Sequence, residues 1–173
     1  MPLPNSYWVI PGRLLAGEHP GGRDDAQTRE CIGRLLGAGI DYYVDLTEPG
    51  EQLDYHHLLP EGAVYVRSAI VDTSVPYNIS QTRALLSTLR EALARERSIY
   101  VHCRAGIGRT GLIIGCFLAE EGRDGESAIK RLNRLWRQSA RAELWPKVPQ
   151  TAEQADYIRR WPKLRNLGAK SRK

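Results

Sequence analysis

The run Val101-His102-Cys103-Arg104-Ala105-Gly106-Ile107-Gly108-Arg109-Thr110-Gly111 constrains this chain more than any other stretch of it. Before it stands Ser98-Ile99-Tyr100-Val101, a β-branched and aromatic stretch of the kind that makes a buried strand; after it, Leu112 to Leu118 reads as a buried helix. The run is therefore a loop that joins the end of a strand to a helix N-terminus. There, unpaired N–H groups and the positive end of the helix dipole favour an anion. Gly106 and Gly108 permit backbone angles that turn successive N–H groups inward, and Arg109 offers a planar, two-pronged contact to two oxygens. The same surroundings stabilise a thiolate at Cys103, so the loop reads as an oxyanion cradle with a nucleophile inside it.

The rest of the chain alternates strands and helices. Tyr7 to Ile10 and Leu14 to Gly17 read as two strands around a Pro-Gly-Arg turn, and Asp24 to Leu36 reads as a helix that stops at Gly37-Ala38-Gly39. Tyr42 to Leu46 and Val64 to Val66 follow as strands. From about Ser80 to Arg95, Leu85, Leu86, Leu89 and Leu93 recur at helical spacing, as do Ile129, Leu132, Leu135 and Trp136 later on. Thr151 to Arg160 reads as a final helix. This order predicts an α/β fold with a mainly parallel central sheet flanked by helices, and it sets the cysteine loop at the carboxyl edge of a central strand, where such sheets bind ligands.

His102-Cys103, five residues, then Arg109-Thr110 resembles the signature of the cysteine-dependent protein tyrosine phosphatase superfamily. The resemblance implies the compact phosphatase domain of the dual-specificity type and covers essentially residues 5 to 162. It makes Cys103 the nucleophile that attacks phosphorus and Arg109 the ligand of the phosphoryl group, with Arg104, Ala105, Gly106, Ile107 and Gly108 completing the phosphate cradle. His102 precedes the nucleophile and organises the loop. Thr110 supplies a hydroxyl that can stabilise the sulfur as a leaving group; as a structural residue it is a helix-start hydroxyl. Val148 to Gln154 resembles the glutamine-bearing loop with which classical tyrosine phosphatases position the hydrolytic water, which points to Gln150. Most compact dual-specificity members lack that glutamine, and Thr151 with Gln154 also fits a plain capping box.

The leaving oxygen needs a proton, and a carboxylic acid on a separate loop is the economical donor. Asp72 follows an apolar strand ending in Ala69-Ile70-Val71, precedes a proline-containing loop and lies 31 residues before Cys103, close to the spacing of dual-specificity members. Asp45, which ends a strand, and Asp54, beside His56 and His57, compete with it. The two histidines read as surface residues, and no metal or cofactor is called for.

At 173 residues the chain suits one domain, with residues 1–162 as the catalytic domain and 163–173 as a basic tail. Seven basic residues and no acidic ones lie from Arg159 onward; removing them from the 25 leaves fewer basic than acidic residues, of which there are 20. The pI near 9.3 thus belongs to the tail, which reads first as a solvated terminus and second as a weak contact to an anionic surface. No specific nucleic-acid partner and no transmembrane segment are expected. Three cysteines make no disulfide framework, which together with a thiolate nucleophile points to a reducing cytoplasm.

The substrate expected on these grounds is a phosphorylated protein or peptide. Phosphotyrosine comes first, with phosphoserine or phosphothreonine as dual-specificity candidates. An inositol phosphate or phosphoinositide is the alternative, although only Arg104 adds charge to the loop and Ile107 adds an apolar contact. A catalytically silent phospho-binding module is a third reading, against which stand the intact Cys103, Arg109 and Asp72. A rhodanese-like sulfur carrier also uses a cysteine loop before a helix, but Gly106, Gly108 and the Arg-Thr-Gly ending fit phosphate better.

Overall fold

A computed structural model describes residues 1–122 and 124–167. The elements are β1 (Ser6–Ile10), β2 (Leu14–Gly17), α1 (Asp25–Gly37), β3 (Tyr42–Asp45), β4 (Val64–Arg67), α2 (Ile79–Ala94), β5 (Ile99–His102), α3 (Arg109–Glu120), α4 (Gly125–Trp136) and α5 (Ala152–Leu164). They build one sheet in the order β1-β2-β5-β3-β4, with β2, β5, β3 and β4 parallel and β1 antiparallel at one edge. The mainly parallel sheet expected from the alternation is what forms.

Period-two alternation explains how both faces are covered. Leu15, Tyr100 and Tyr43 are register partners, and they turn together toward Ile32 and Leu35 of α1. Their neighbours Ala16, Val101 and Val44 turn the other way, into a larger core with residues of α2, α3, α4 and α5. Helix α3 lies inside this second layer and is buried from Arg109 to Ala119, which is why its sequence is apolar on all sides. Two glycines let the helices close around it. A Cβ at Gly115 would lie 2.3 Å from Ile158 Cδ1, and one at Gly125 would lie 2.3 Å from Arg159 Cα.

Edge strand β1 is covered by a side chain. Gln138 Nε2 donates to the Trp8 carbonyl (3.0 Å), and the Trp8 N–H donates to Gln138 Oε1 (3.2 Å), so the Gln138 amide pairs with β1 as a neighbouring strand would. A register shift between Trp8 and Ile10 breaks the edge further.

Two features depart from the sequence reading. Strand β4 stops at Arg67, so Asp72 follows a coil and not an apolar strand; the Ser68 and Ile70 N–H groups still bond to the carbonyls of Asp45 (2.8 Å) and Leu46 (3.1 Å). Helix α5 runs through Pro162 to Leu164, beyond the expected helix end at Arg160, and Arg83 Nη2 holds its end by donating to the carbonyls of Leu164 (3.2 Å) and Arg165 (2.7 Å). Of the basic tail, Lys170, Arg172 and Lys173 lie outside the described residues.

Candidate active site

Gly17, His102, Asp45 and Arg67 are register partners across the carboxyl ends of β2, β5, β3 and β4. Four loops leave the sheet from this row, and the site is built from them. The central one, 103–108, runs from β5 into α3 as expected. Gly106 has φ +75°, and a Cβ there would lie 2.6 Å from the Gly17 carbonyl carbon and 2.9 Å from the Glu18 nitrogen, so the left-handed turn and the close approach both demand glycine. Gly108 is glycine for a different reason than the sequence implied. Its φ of −76° is ordinary, but a Cβ would lie 3.0 Å from Gln150 Oε1 and 3.2 Å from Gln154 Nε2, so it makes room for another loop.

Among the described residues, α3 is the only one of the five α-helices with no side-chain N-cap. Its first N–H groups are left for the loop or for an anion. Cys103 is buried at the mouth of this helix. The left-handed Gly106 turn also sends Ile107 inward: it is 7% exposed and packs in the main core. The expected apolar contact from Ile107 to substrate is therefore corrected. Only Arg104 is well exposed on this loop, with Ala105 half-buried.

Arg109 is 1% exposed and is held from several sides. Its Nη1 and Nη2 donate to Glu51 Oε2 (2.6 Å) and Oε1 (2.5 Å), and Nη1 also donates to the Ile70 carbonyl (3.1 Å). Burial works to lower the guanidinium pKa, but Glu51 outweighs it; in return the bonds from Arg109 hold the Glu51 carboxyl below its usual range. Arg109 Nε is buried without a hydrogen-bond partner among the described residues. A buried, unmatched N–H on a cation marks a place for an acceptor, here beside the uncapped end of α3.

Asp72 lies against Arg109 and Arg104. Its Oδ1 lies 3.1 Å from Arg109 Nη2 and its Oδ2 lies 3.1 Å from Arg104 Nη2. The next residue, Thr73, has φ +62°, an uncomfortable conformation for a β-branched side chain. Contacts from α5 hold the loop there. The fully buried Gln154 donates from Nε2 to the Ser74 carbonyl (2.9 Å) while its Oε1 accepts from the Thr151 N–H (3.2 Å), and Thr151 Oγ1 donates to the Thr73 carbonyl at 3.4 Å. The Thr151–Gln154 capping box thus does more than start a helix.

His102 lies at the end of β5, fully buried. Tyr55 Oη sits 2.6 Å from Nε2, and Nδ1 faces the Cys103 carbonyl at 3.4 Å and Asp45 Oδ1 at 3.9 Å. This arrangement fits a hydroxyl donating to Nε2 and an Nδ1–H turned toward the backbone. Burial pushes the imidazole down to about 4, so it is neutral near pH 7 and holds the loop through hydrogen bonds. Thr110 is buried, with its hydroxyl 3.5 Å from the Gly17 carbonyl.

The rival carboxylates are employed elsewhere. Asp45 accepts from the Thr47 N–H (2.8 Å) and hydroxyl (2.6 Å), from Tyr65 Oη (2.7 Å) and from Arg67 (3.1 Å). Burial opposes its charge, but His102 and these hydrogen bonds prevail and hold the carboxyl at about 2. Asp54 is exposed and bonds His56 Nδ1 at 2.8 Å; it, His56 and His57 offer ligand atoms within 4.8 Å of one another on the surface. Gln150 is exposed beside Gly108, and Asn133 of α4 steadies its segment by bonding both the N–H (3.0 Å) and the carbonyl (2.7 Å) of Val148.

Glu51 and Gln154 are the positioning residues that sequence reasoning missed. Glu51 sits in a Thr-Glu-Pro-Gly-Glu turn just past β3, a signal visible in the sequence, but only the strand order places that turn opposite Arg109.

Comparison with known proteins agrees with this geometry. Residues 3–158 match the family described as the Swiss Army Knife protein, DSP-PTPase phosphatase domain. The chain belongs to that family. That family is one of cysteine-dependent phosphatase domains of the tyrosine and dual-specificity type. Protein 067L of Invertebrate iridescent virus 3, whose name places it among tyrosine phosphatases, is 37% identical over 95 residues, covering 52% of this chain and 38% of that protein. The phosphatidylglycerophosphate phosphatase PTPMT2 of Arabidopsis thaliana is 29% identical over 102 residues, 53% of this chain and 41% of that protein. The chain thus spans less than half the length of these two relatives. The crystal structure of Tk-PTP in the active form shares the fold with a TM-score of 0.73 at 19% identity, over 95% of this chain and 98% of that one.

Proposed function

We propose that this phosphatase domain acts on phosphotyrosine in proteins or peptides, with phosphoserine and phosphothreonine as weaker substrates, through a cysteinyl-phosphate intermediate. Cys103 Sγ attacks phosphorus and the bond to the leaving oxygen breaks as Asp72 gives that oxygen a proton. Arg109 Nε, with the loop N–H groups, holds the equatorial oxygens. Water held beside Gln150 then attacks phosphorus, Asp72 takes the water's proton, and the sulfur leaves with the Thr110 hydroxyl as support. A thiolate of this kind suits a reducing compartment such as the cytoplasm.

The observation that carries the substrate reading is the state of the loop's cations. Arg109 is committed to Glu51 and Arg104 is paired with Asp72, so the loop offers one phosphate a full set of donors and a second phosphate none. A densely phosphorylated inositol asks for more. The name of the plant relative supports a second reading, a phosphate monoester on a phospholipid head group.

Turnover of phosphotyrosine, phosphoserine and phosphothreonine peptides, a phosphoinositide and a soluble inositol phosphate at one ionic strength decides between them. Protein shortened to residue 167 controls for attraction by the basic tail. The expected order places phosphotyrosine first in kcat/KM. A phosphoinositide or inositol phosphate that ranks first in both full and shortened protein overturns the reading. Cys103→Ser is expected to lose turnover and to retain phosphate binding; wild-type turnover in that variant would remove the covalent step.

A further inference from the structure

We propose that the groove beside the catalytic loop binds acidic residues that flank the phosphorylated residue of a protein substrate, a proposal that rests on the phosphotyrosine reading above. The groove has a volume of about 640 Å³ and lies between α4 and the 145–159 segment. It begins at Gln150, which touches the catalytic loop at Gly108, so a chain leaving the phosphate site can enter it directly.

Its lining combines an apolar floor, including Ile129, Val148 and Pro149, with a partly exposed Trp145. Lys130, Arg137 and Lys147 also line it; all three are exposed and none has an ion pair among the described residues. The one acid in the lining, Glu126, is already engaged by Arg159 at 2.9 Å. The groove therefore presents unmatched positive charge next to a site whose own cations are matched.

The spacing favours a peptide. Lys130 in α4 and Arg137, the C-cap of that helix, stand seven residues apart, two helical turns or about 10 Å at 1.5 Å per residue. Three residues of extended peptide span about the same distance at about 3.3 Å each. Phosphates on a single inositol ring lie closer together than that. A membrane, in turn, meets a protein as a broad surface, whereas these charges rim a concavity with an aromatic wall. Trp145 gives the peptide an apolar and stacking contact, and the cations select acidic side chains.

The test compares phosphotyrosine peptides carrying Asp and Glu on either side of the phosphoresidue with the same peptides carrying Ser and Ala. Wild-type protein is set against Lys130→Glu/Arg137→Glu/Lys147→Glu. Exposed charge pairs contribute modestly, so the acidic peptides should be favoured by about 3- to 10-fold in kcat/KM, and the triple variant should erase or invert that ratio. An equal ratio in both proteins overturns the proposal. A second measurement does not depend on turnover: the Trp145 indole N–H resonance of the intact protein should shift on titration with an unphosphorylated acidic peptide, and the triple variant should lose that shift. A silent Trp145, or one that responds to anionic phospholipid vesicles and not to the peptide, overturns the proposal. Should phosphopeptides prove poor substrates while Trp145 still answers the peptide in wild type only, the phosphotyrosine reading fails and the groove stands.

Discussion

Arg109 has two duties in the proposed reaction, binding the phosphoryl group and tying down the loops that follow β3 and β4, and Glu51 is what makes them compatible. By taking both terminal nitrogens, Glu51 fixes the plane of the guanidinium and leaves the buried Nε without a partner among the described residues. Glu51→Gln should keep the size and lose the charge-assisted pair. A drop in kcat of about 10-fold or more is expected, with a smaller change in KM, because a misaligned fork binds the transition state worse than the ground state. Steady-state kinetics on a phosphotyrosine peptide checks this; unaltered kcat would mean Arg109 is oriented by its backbone contacts alone. For Asp72→Asn, turnover on alkyl and aryl phosphates should fall by about 10²- to 10⁴-fold, and the defect should shrink for leaving groups that need no proton. Asp45→Asn should instead lower stability, since its carboxylate is spent on Thr47, Tyr65 and Arg67; the leaving-group pattern appearing in Asp45→Asn and not in Asp72→Asn would reverse the assignment.

At the level of elements, the catalytic loop is set by what it packs on, and α5 reaches it from outside. Gln154→Ala would cut the bond to the Ser74 carbonyl and half of the capping box together, so a cap-preserving control is needed. Gln154→Glu supplies that control, because it retains the acceptor for the Thr151 N–H and loses the donor to Ser74. Both variants should show the Asp72→Asn signature, a loss of kcat confined to poor leaving groups; a defect that ignores the leaving group would mean α5 acts on stability only. Gly125→Ala tests the helix layer in the same spirit. Overpacking of about 1–3 kcal/mol should appear as a lower urea midpoint, with kcat preserved below the transition. The sequence announces most of these elements, because apolar periodicity and helix starts such as Asp24 and Thr151 are local signals. It brings Cys103, Arg109 and Asp72 forward as candidates for a related reason, since spacing within a loop and distance from a strand are local too. Glu51 against Arg109, Gln154 against Ser74 and the inward turn of Ile107 are long-range or chirality effects. They depend on the strand order and on the left-handed Gly106, and a one-dimensional pattern does not contain them.

Across the whole molecule, the row at the sheet's carboxyl end ties catalysis to acid stability. His102 titrates near 6.5 when unfolded and at about 4 when folded, so the unfolded chain takes up a proton that the native state refuses. Its contribution is complete above pH 6.5 and fades as pH falls toward 4, by up to about 3 kcal/mol. Asp45, at about 2 folded against 3.8 unfolded, adds a second loss below pH 3.8. Urea unfolding between pH 7 and 4 should therefore show a falling midpoint, and His102→Asn should flatten that slope whatever it does to the midpoint itself. A slope that survives in the variant would place the acid-sensitive group elsewhere. The opposite end of the sheet order carries a different kind of protection. A bare outer strand is a rail on which another copy of the same chain can add its own backbone, and such growth has no natural stopping point. The two bonds between Gln138 and Trp8 occupy one rung of that rail with a group that cannot extend it. A residue outside the phosphate site thereby fills a rung to which the backbone of another copy would otherwise add.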